Sequence, residues 1–489
     1  MQEAVHFLTV RQLADRLADG TITSVELTQM YLRRAEELDV PPFELPSEPR
    51  TDHGSKLSTM ITIARGRALE SAERADAELR AGQRRSILHG IPYGVKDLLD
   101  TAGIRTTWGS GIFRERVPER NAAVVDRLER AGAVLMAKMS LGEFAGGNTS
   151  SALNPWKLDR TSFGSSSGTV SAAVAGLIGF GIGTETGGSI VFPASAVGAS
   201  GLRPTFSRVS RHGCMALSWS LDKIGPAGRS AEDCGHILEQ IVGYDARDNS
   251  STDRPFSFRD DPGSMRGKRL GVHRAEFELS QSEDNRRVFQ GALDVWERMG
   301  VIVEDITLPR YPTGALFSTI VTVESGTNFK LLFDDGRASG MFSFNQDRAA
   351  GWMAGRMMPA ADYLTAQRIR SQLTREADEI VSRYDAVIAP TWPNGAALRE
   401  VRDGWPIPAR NEWEPPDEID DQTPRLNYIA NLVGHPGLSI PCGFDPDGLP
   451  LCLQIVGSPF DEQAVLDFGM SFQRGTNWHL QRPPFPWRE

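Results

Sequence analysis

Residues Arg160–Pro204 read RTSFGSSSGTVSAAVAGLIGFGIGTETGGSIVFPASAVGASGLRP, and this stretch decides the fold. Ser165, Ser166 and Ser167 lie between Gly164 and Gly168, ahead of the small-residue run SAAVAG. Further on, Gly183–Ser189 reads GTETGGS and sets a serine behind two glycines. Glycine lets a backbone approach a ligand closely and take φ values that side chains forbid. Successive N–H groups of such a loop can converge on an anion or a developing oxyanion. Ser189 is therefore a candidate nucleophile with its own anion-binding loop. A Gly/Ser-rich stretch read alone is a flexible linker. The apolar runs AAVAGLIGFGI and SIVFPASAVGASGL argue against that, because a solvated linker would not carry them.

Three motifs compete here. GSSSG satisfies G-x-S-x-G, the nucleophile elbow of α/β-hydrolases, with Ser166 as nucleophile; that site needs an acid and then a histidine downstream. Of the later histidines His435, in VGHPG, has the right order, yet no Ser…Asp…His frame surrounds it. The glycines at 179, 181, 183, 187 and 188 do not fit G-x-G-x-x-G, and no Gly-Lys-Ser/Thr follows, so a phosphate loop is weakly supported. The third pattern is the most specific: a Ser/Gly stretch followed by Gly-Thr-acid-x-Gly-Gly-Ser. In it the segment resembles the amidase signature family. HGIPYGVKDLLDTAGIRTTWGS (His89–Ser110), NAAVVDRLERAGAVLMAKMSLGEFAGG (Asn121–Gly147), SRVSRHGCMALSWSLDKIGPAGRS (Ser207–Ser230), APTWPNGA (Ala389–Ala396) and NLVGHPGLSIPCGFDPDGLPLCLQIVGSPFDE (Asn431–Glu462) match the family in the right order.

The resemblance implies an α/β fold, a single domain over residues 1–489 with a central mixed β-sheet covered by helices on both sides. It also implies a site. Ser189 attacks, Ser166 relays the proton, and Lys96 receives it as general base. The bridging serine follows a cis peptide bond, here Ser165–Ser166. The N–H groups of Thr186, Gly187, Gly188 and Ser189 form the oxyanion hole, with Ser165 and Thr184 in support. No metal or organic cofactor is called for. The chemistry sets a condition on Lys96. A serine hydroxyl is a poor nucleophile until a base takes its proton. A lysine serves only when neutral, so its pKa must fall from about 10.4 towards about 7–8. Without the resemblance Lys96 is an ordinary strand-end lysine beside a carboxylate, Asp97, and Lys138 in VLMAKMS is as good a candidate. Only the frame G-x-P-x-x-V-K-D separates them. Ser165 and Thr169 stand where the family usually has glycine, and Glu185 where it often has aspartate.

The remaining sequence bounds the function. With 53 basic against 63 acidic residues the net charge is −10, and without a basic cluster a nucleic-acid partner is not expected. Cys214, Cys234, Cys442 and Cys452 show no C-x-x-C spacing and read as reduced thiols. The N-terminus MQEAVHFLTVRQLADRL is amphipathic rather than a signal peptide, and no stretch is apolar enough to span a membrane. A cytoplasmic protein, monomer or homodimer, is the expectation. Thr9 and the Thr23-x-x-Glu26 capping box open two helices within residues 9–37. Residues 1–85 read as a helical part, 86–310 as the catalytic core, 311–425 as a variable substrate-cleft or lid region, and 426–489 as the part completing the core.

Substrate class follows from the departures. By segment the chain is most similar to the branch of the family formed by the A subunits of amidotransferases, which usually carries an arginine soon after the nucleophile, in GGSIRxPA. Here that position is Val191, followed by Phe192. Losing a bidentate cation removes affinity for a carboxylate. An uncharged, rather apolar small-molecule amide or carbamate is the expected substrate. Phe342, Phe344, Trp352, Met353, Met357 and Met358 precede a helix expected over Asp362–Tyr384, and Trp392, Trp405 and Trp413 follow it. Val191, Phe192, Met353 and Met357 are the candidate substrate contacts. The segment 396–422, without clear secondary structure, reads as a lid. Three functions are carried: a stand-alone amidase extending to esters and carbamates, a component of a glutamine-dependent tRNA amidotransferase (its A subunit), and a non-catalytic binding module on the same fold.

Overall fold

The computed structural model describes residues 4–39, 56–146, 152–280, 282–341, 346–402, 405–408 and 425–484 of the chain. Thr9 and Thr23 each form a full capping box, with Gln12 and Glu26, and open the helices Val10–Ala18 and Ser24–Leu38. The strands in chain order are β1 (Met60–Ile63), β2 (Pro92–Lys96), β3 (Val134–Met139), β4 (Phe180–Glu185), β5 (Ser200–Arg203), β6 (Lys223–Gly228), β7 (Arg269–Val272), β8 (Ile302–Asp305), β9 (Ala386–Pro390), β10 (Arg399–Arg402), β11 (Trp405–Pro408), β12 (Gly437–Phe444) and β13 (Pro450–Val456). All except β10 and β11 join one eleven-stranded sheet, in the order β1-β3-β2-β4-β6-β5-β12-β13-β9-β7-β8. The sheet is mixed. β2 runs parallel to β3 and β4, and β7 parallel to β8 and β9, while the strands between β4 and β9 pair antiparallel.

Every residue of β2, β3, β4, β6 and β13 is buried, so helices cover both faces. The last two strands lie mid-sheet, between β5 and β9, and the two ends of the chain therefore share one core. Two strands come from regions expected to lie outside it. β1 belongs to the part read as helical, and its four residues are too few for a period to register. β9, AVIAP, belongs to the part read as variable.

The region expected to be a lid also differs. Residues 399–402 and 405–408 pair antiparallel as a separate ribbon, Arg399 opposite Pro408 and Val401 opposite Pro406. The two prolines hid this strand, since proline is admitted only at edges, and a two-stranded ribbon has nothing but edges. Trp405 belongs to the ribbon. Trp413 and most of the proposed lid lie outside the described residues, as do Phe342 and Phe344. Of the Met/aromatic run only Trp352 is buried among the described residues: it joins a core cluster with Phe144, Leu98, Met215 and Met341, its ring stacked on Phe329 at 4.3 Å.

Candidate active site

β2 and β4 are hydrogen-bonded neighbours, and their carboxyl ends deliver Lys96 and Thr184–Glu185 to the same place. In open α/β sheets the loops beyond such strand ends build the binding crevice. The loop Gly164–Ser166 arrives as the entry to the helix Ser167–Val174, which packs on both strands. Small residues permit this. A Cβ on Gly168 would lie 2.5 Å from the Ser140 carbonyl oxygen, and one on Gly183 would lie 2.9 Å from the Ser166 hydroxyl.

Lys96 is fully buried. Its Nζ lies 2.7 Å from Ser165 Oγ, 3.0 Å from Ser166 Oγ, 2.9 Å from Thr184 Oγ1 and 3.4 Å from the Thr184 carbonyl. Burial disfavours its charge and lowers its pKa to about 7, opposed by the more distant Cys214, Asp222 and Glu185. Asp97, the carboxylate adjacent in sequence, turns instead to Lys138, at 3.6 Å. It also accepts from the Thr107 N–H and hydroxyl at 2.7 and 2.6 Å. The two lysines differ in their partners: Lys138 is ion-paired, whereas Lys96 sits among hydroxyls.

The two serines beside Lys96 differ in their hydrogen bonds. Ser166 Oγ donates to the Thr184 carbonyl at 3.0 Å and accepts from the Thr184 N–H at 3.2 Å. A hydroxyl has one proton to give, so that of Ser166 is already spent on a carbonyl. Ser165 Oγ meets only Lys96 among the described residues. The cis peptide bond is Gly164–Ser165, not Ser165–Ser166 as expected. Three consecutive serines leave that register open in the sequence, and the hydrogen bonds distinguish Ser165 from Ser166.

Ser189 is partly exposed, and its hydroxyl has no partner among the described residues. Its carbonyl accepts from the Ser166 N–H at 3.0 Å, which ties the two serine loops together. Glu185 anchors the loop from beneath. Its carboxylate accepts from the Ile190 and Val191 N–H groups at 2.8 and 3.0 Å and pairs with the buried Arg203 at 2.7 Å. Burial would raise its pKa, but Arg203 and Lys223 hold it below the usual carboxylate range. Thr186 donates its hydroxyl to Asp222 at 2.6 Å. Among the described residues the N–H groups of Gly187, Gly188 and Ser189 meet no acceptor.

Aromatic rings wall this loop. A Cβ on Gly187 would lie 2.3 Å from Phe317, and one on Gly188, at φ 135°, 2.4 Å from Phe192. Phe192 contacts Trp392 at 5.5 Å and Tyr428 at 6.4 Å, and Phe163 contacts Trp392 at 5.4 Å. Of the four expected substrate contacts only Phe192 takes part. Val191 is fully buried and exposes no surface to a ligand. Met353 and Met357 are 52% and 83% exposed, on the helix face opposite Gly355, which packs against Thr322. Phe317 and Tyr428 escaped the sequence reading because they reach the loop from distant helices. Lys223, Asn427, Asn431 and Arg203 were also passed over, although all but Asn427 lie in the quoted stretches.

The described residues offer one grouping of metal-ligand types, Glu232, His236 and Asp260, and the Arg11 guanidinium reaches all three. None of the described helices is long and apolar enough to cross a membrane.

A family model described as Amidase matches residues 50–466. The A subunit of the glutamyl-tRNA(Gln) amidotransferase of Roseiflexus sp. (strain RS-1) is 35% identical, over 99% of this chain and 99% of its own length. The native peptide amidase from Stenotrophomonas maltophilia superposes with a TM-score of 0.79 at 28% identity, covering 97% of this chain and 98% of that one. A bacterial aryl acylamidase of the amidase signature enzymes shares the fold, with a TM-score of 0.82 at 19% identity over 97% of each chain. The family's chemistry is hydrolysis or transfer at an amide C–N bond, and this chain belongs to the amidase signature family.

Proposed function

We propose that this protein is a stand-alone serine amidase. It cleaves the C–N bond of uncharged, bulky or aryl amides, and aryl carbamates (urethanes) and esters yield to the same chemistry. One observation carries the reading. Lys96 lies buried among hydroxyls with its pKa lowered to about 7, beside a glycine loop that bears Ser189 under aromatic rings. Neutral Lys96 takes the proton of Ser165 while Ser165 takes that of Ser189, whose Oγ forms a bond to the substrate carbonyl carbon. The oxyanion is held by the N–H groups of the loop Thr186–Ser189. The tetrahedral intermediate collapses with cleavage of the C–N bond, and the proton held by Lys96 returns through Ser165 to the leaving amine. Water, deprotonated by the same route, then hydrolyses the acyl-enzyme and restores Ser189. Ser165 replaces Ser166 as the relay because its proton is uncommitted; Ser166 positions Lys96 and Thr184.

The aromatic wall supports an apolar acyl or amine group. The nearby cation Arg425, over the Trp392 ring, is already paired with Glu276 at 2.9 Å and is poorly placed to bind a substrate carboxylate. A second reading, the A subunit of a glutamine-dependent tRNA amidotransferase acting with partner proteins, is favoured by the 35% identity to such a chain. The net charge of −10 weighs against it.

Amine release from an acyl 4-nitroanilide, an N-aryl carbamate and glutamine separates the readings. Wild type is compared with Ser189→Ala, Lys96→Ala, Ser165→Ala and Ser166→Ala. Turnover of the first two substrates is expected, with losses of about 10³-fold or more for Ser189, Lys96 and Ser165 and a smaller loss for Ser166. Turnover of glutamine alone would establish the second reading.

A further inference from the structure

Four successive carbonyls of the Ser189 loop are each held from outside. The Thr186 carbonyl accepts from Lys223 Nζ at 3.3 Å, and the Gly187 carbonyl from Asn427 Nδ2 at 3.1 Å. The Gly188 and Ser189 carbonyls accept from the Phe192 and Ser166 N–H groups, at 2.8 and 3.0 Å. A trans peptide is planar, with its C=O and N–H directed oppositely. Fixing each carbonyl therefore aims the following N–H the other way. The donors so aimed are Gly187, Gly188 and Ser189, which meet no acceptor among the described residues, while the fourth, Ile190, is taken up by Glu185.

Two of these ties are backbone bonds, from Phe192 four residues on and from the Ser166 loop; the other two come from side chains far away in sequence. Lys223, buried at the start of β6, donates also to Asn431 Oδ1 at 2.9 Å. Asn431 in turn donates to Glu185 at 2.9 Å and to Asn427 Oδ1 at 3.2 Å. Asn427 and Asn431 lie one turn apart on the helix Leu426–Val433, so one rigid element supports both carbonyl ties. An ammonium has three protons to donate and a neutral amine two, so Lys223 makes its two bonds in either state.

We propose that Lys223 and Asn427 are positioning residues of the oxyanion hole: they hold the Thr186 and Gly187 carbonyls so that the Gly187 and Gly188 N–H groups face the reacting carbonyl. Neither touches the substrate. Both act through peptide planes, and their effect falls on the transition state, where charge reaches those donors. The inference rests on the reading of Ser189 as nucleophile.

The test is the rate at which a fluorophosphonate labels Ser189, since phosphonylation loads the same donors and needs no knowledge of the substrate. It is run on wild type, Lys223→Met, Lys223→Gln, Asn427→Ala and Ser189→Ala. Deleting an oxyanion donor outright costs about 10²–10³-fold, so misaiming one is expected to slow labelling about 10- to 100-fold in Lys223→Met and in Asn427→Ala. Lys223→Gln, which keeps an N–H donor, is expected to recover most of the rate. On the nitroanilide the same variants lower kcat and leave KM nearly unchanged. Should Lys223→Met not fold, Asn427→Ala decides. Wild-type labelling matched by both variants overturns this inference alone. No labelling in the wild type overturns the nucleophile as well.

Discussion

Two lysines on adjacent strands show what burial alone does not specify. Lys96 ends β2 and Lys138 lies in β3, where it pairs with Val95, and both are fully buried. Lys138 has an ionic partner, Asp97, at 3.6 Å, and its Nζ donates to Thr101 and Thr106 at 3.0 and 2.8 Å and to the Leu99 carbonyl. It closes the turn that follows β2. Among the described residues Lys96 has no carboxylate within ion-pairing distance; its neighbours there are three hydroxyls and a carbonyl. Desolvation lowers both pKa values, to about 8 for Lys138 and about 7 for Lys96. A buried lysine with a carboxylate is a structural ion pair. One among hydroxyls can give and take a proton without breaking a salt bridge.

The comparison can be broken at either lysine. Lys96→Met is expected to lower kcat on the nitroanilide by about 10³-fold or more, with a melting temperature equal to or above that of wild type, because it removes a buried charge that lacks a counter-ion. A Lys96→Met protein that is active, or that unfolds near room temperature, would reverse the assignment. Lys138→Met is expected to cost about 3–5 kcal/mol in chemical denaturation, because Asp97 then remains buried without its cation. Adding Asp97→Asn should return part of that loss; if it does not, the pair is not the source of the stability.

The smaller effect is on pH. On the proposed mechanism the neutral form of Lys96 is the active one, so kcat/KM should fall about tenfold per unit below pH 7 and level off above it. The sign for stability follows from linkage. Lys96 titrates at about 7 when folded and at about 10.4 when unfolded. Between those values the unfolded chain binds more protons, so wild type gains stability relative to Lys96→Met as pH rises through this window. An acid limb that Lys138→Asn displaces as well would mean that the two lysines titrate together, contrary to their separate partners.

Much of the site was legible beforehand because its parts are local. GTETGGS announces a backbone loop with a serine at its end, and the frame around Lys96 carries the family's lysine. The proposed relay could not be read in this way. Ser165, Ser166 and Ser167 are chemically identical in sequence, and the choice depends on which hydroxyl has already given its proton to Thr184. Val191 failed as a substrate contact for a related reason: it follows the nucleophile closely, but its side chain turns into the core while its N–H binds Glu185.

By itself, then, the sequence determined the family and the α/β class, and it singled out Lys96, Ser189 and the glycine loop as candidates. Each of these rests on residues adjacent in the chain or on a recurring frame. Only the tertiary structure decided which lysine is ion-paired, which serine has a free proton, and that Phe317, Tyr428, Lys223 and Asn427 surround the loop. Those properties depend on partners that come together only when β12 and β13 enter the middle of the sheet and the helix Leu426–Val433 settles against the loop. Charge pairing and hydrogen-bond supply are properties of neighbours in space, and no local pattern encodes them.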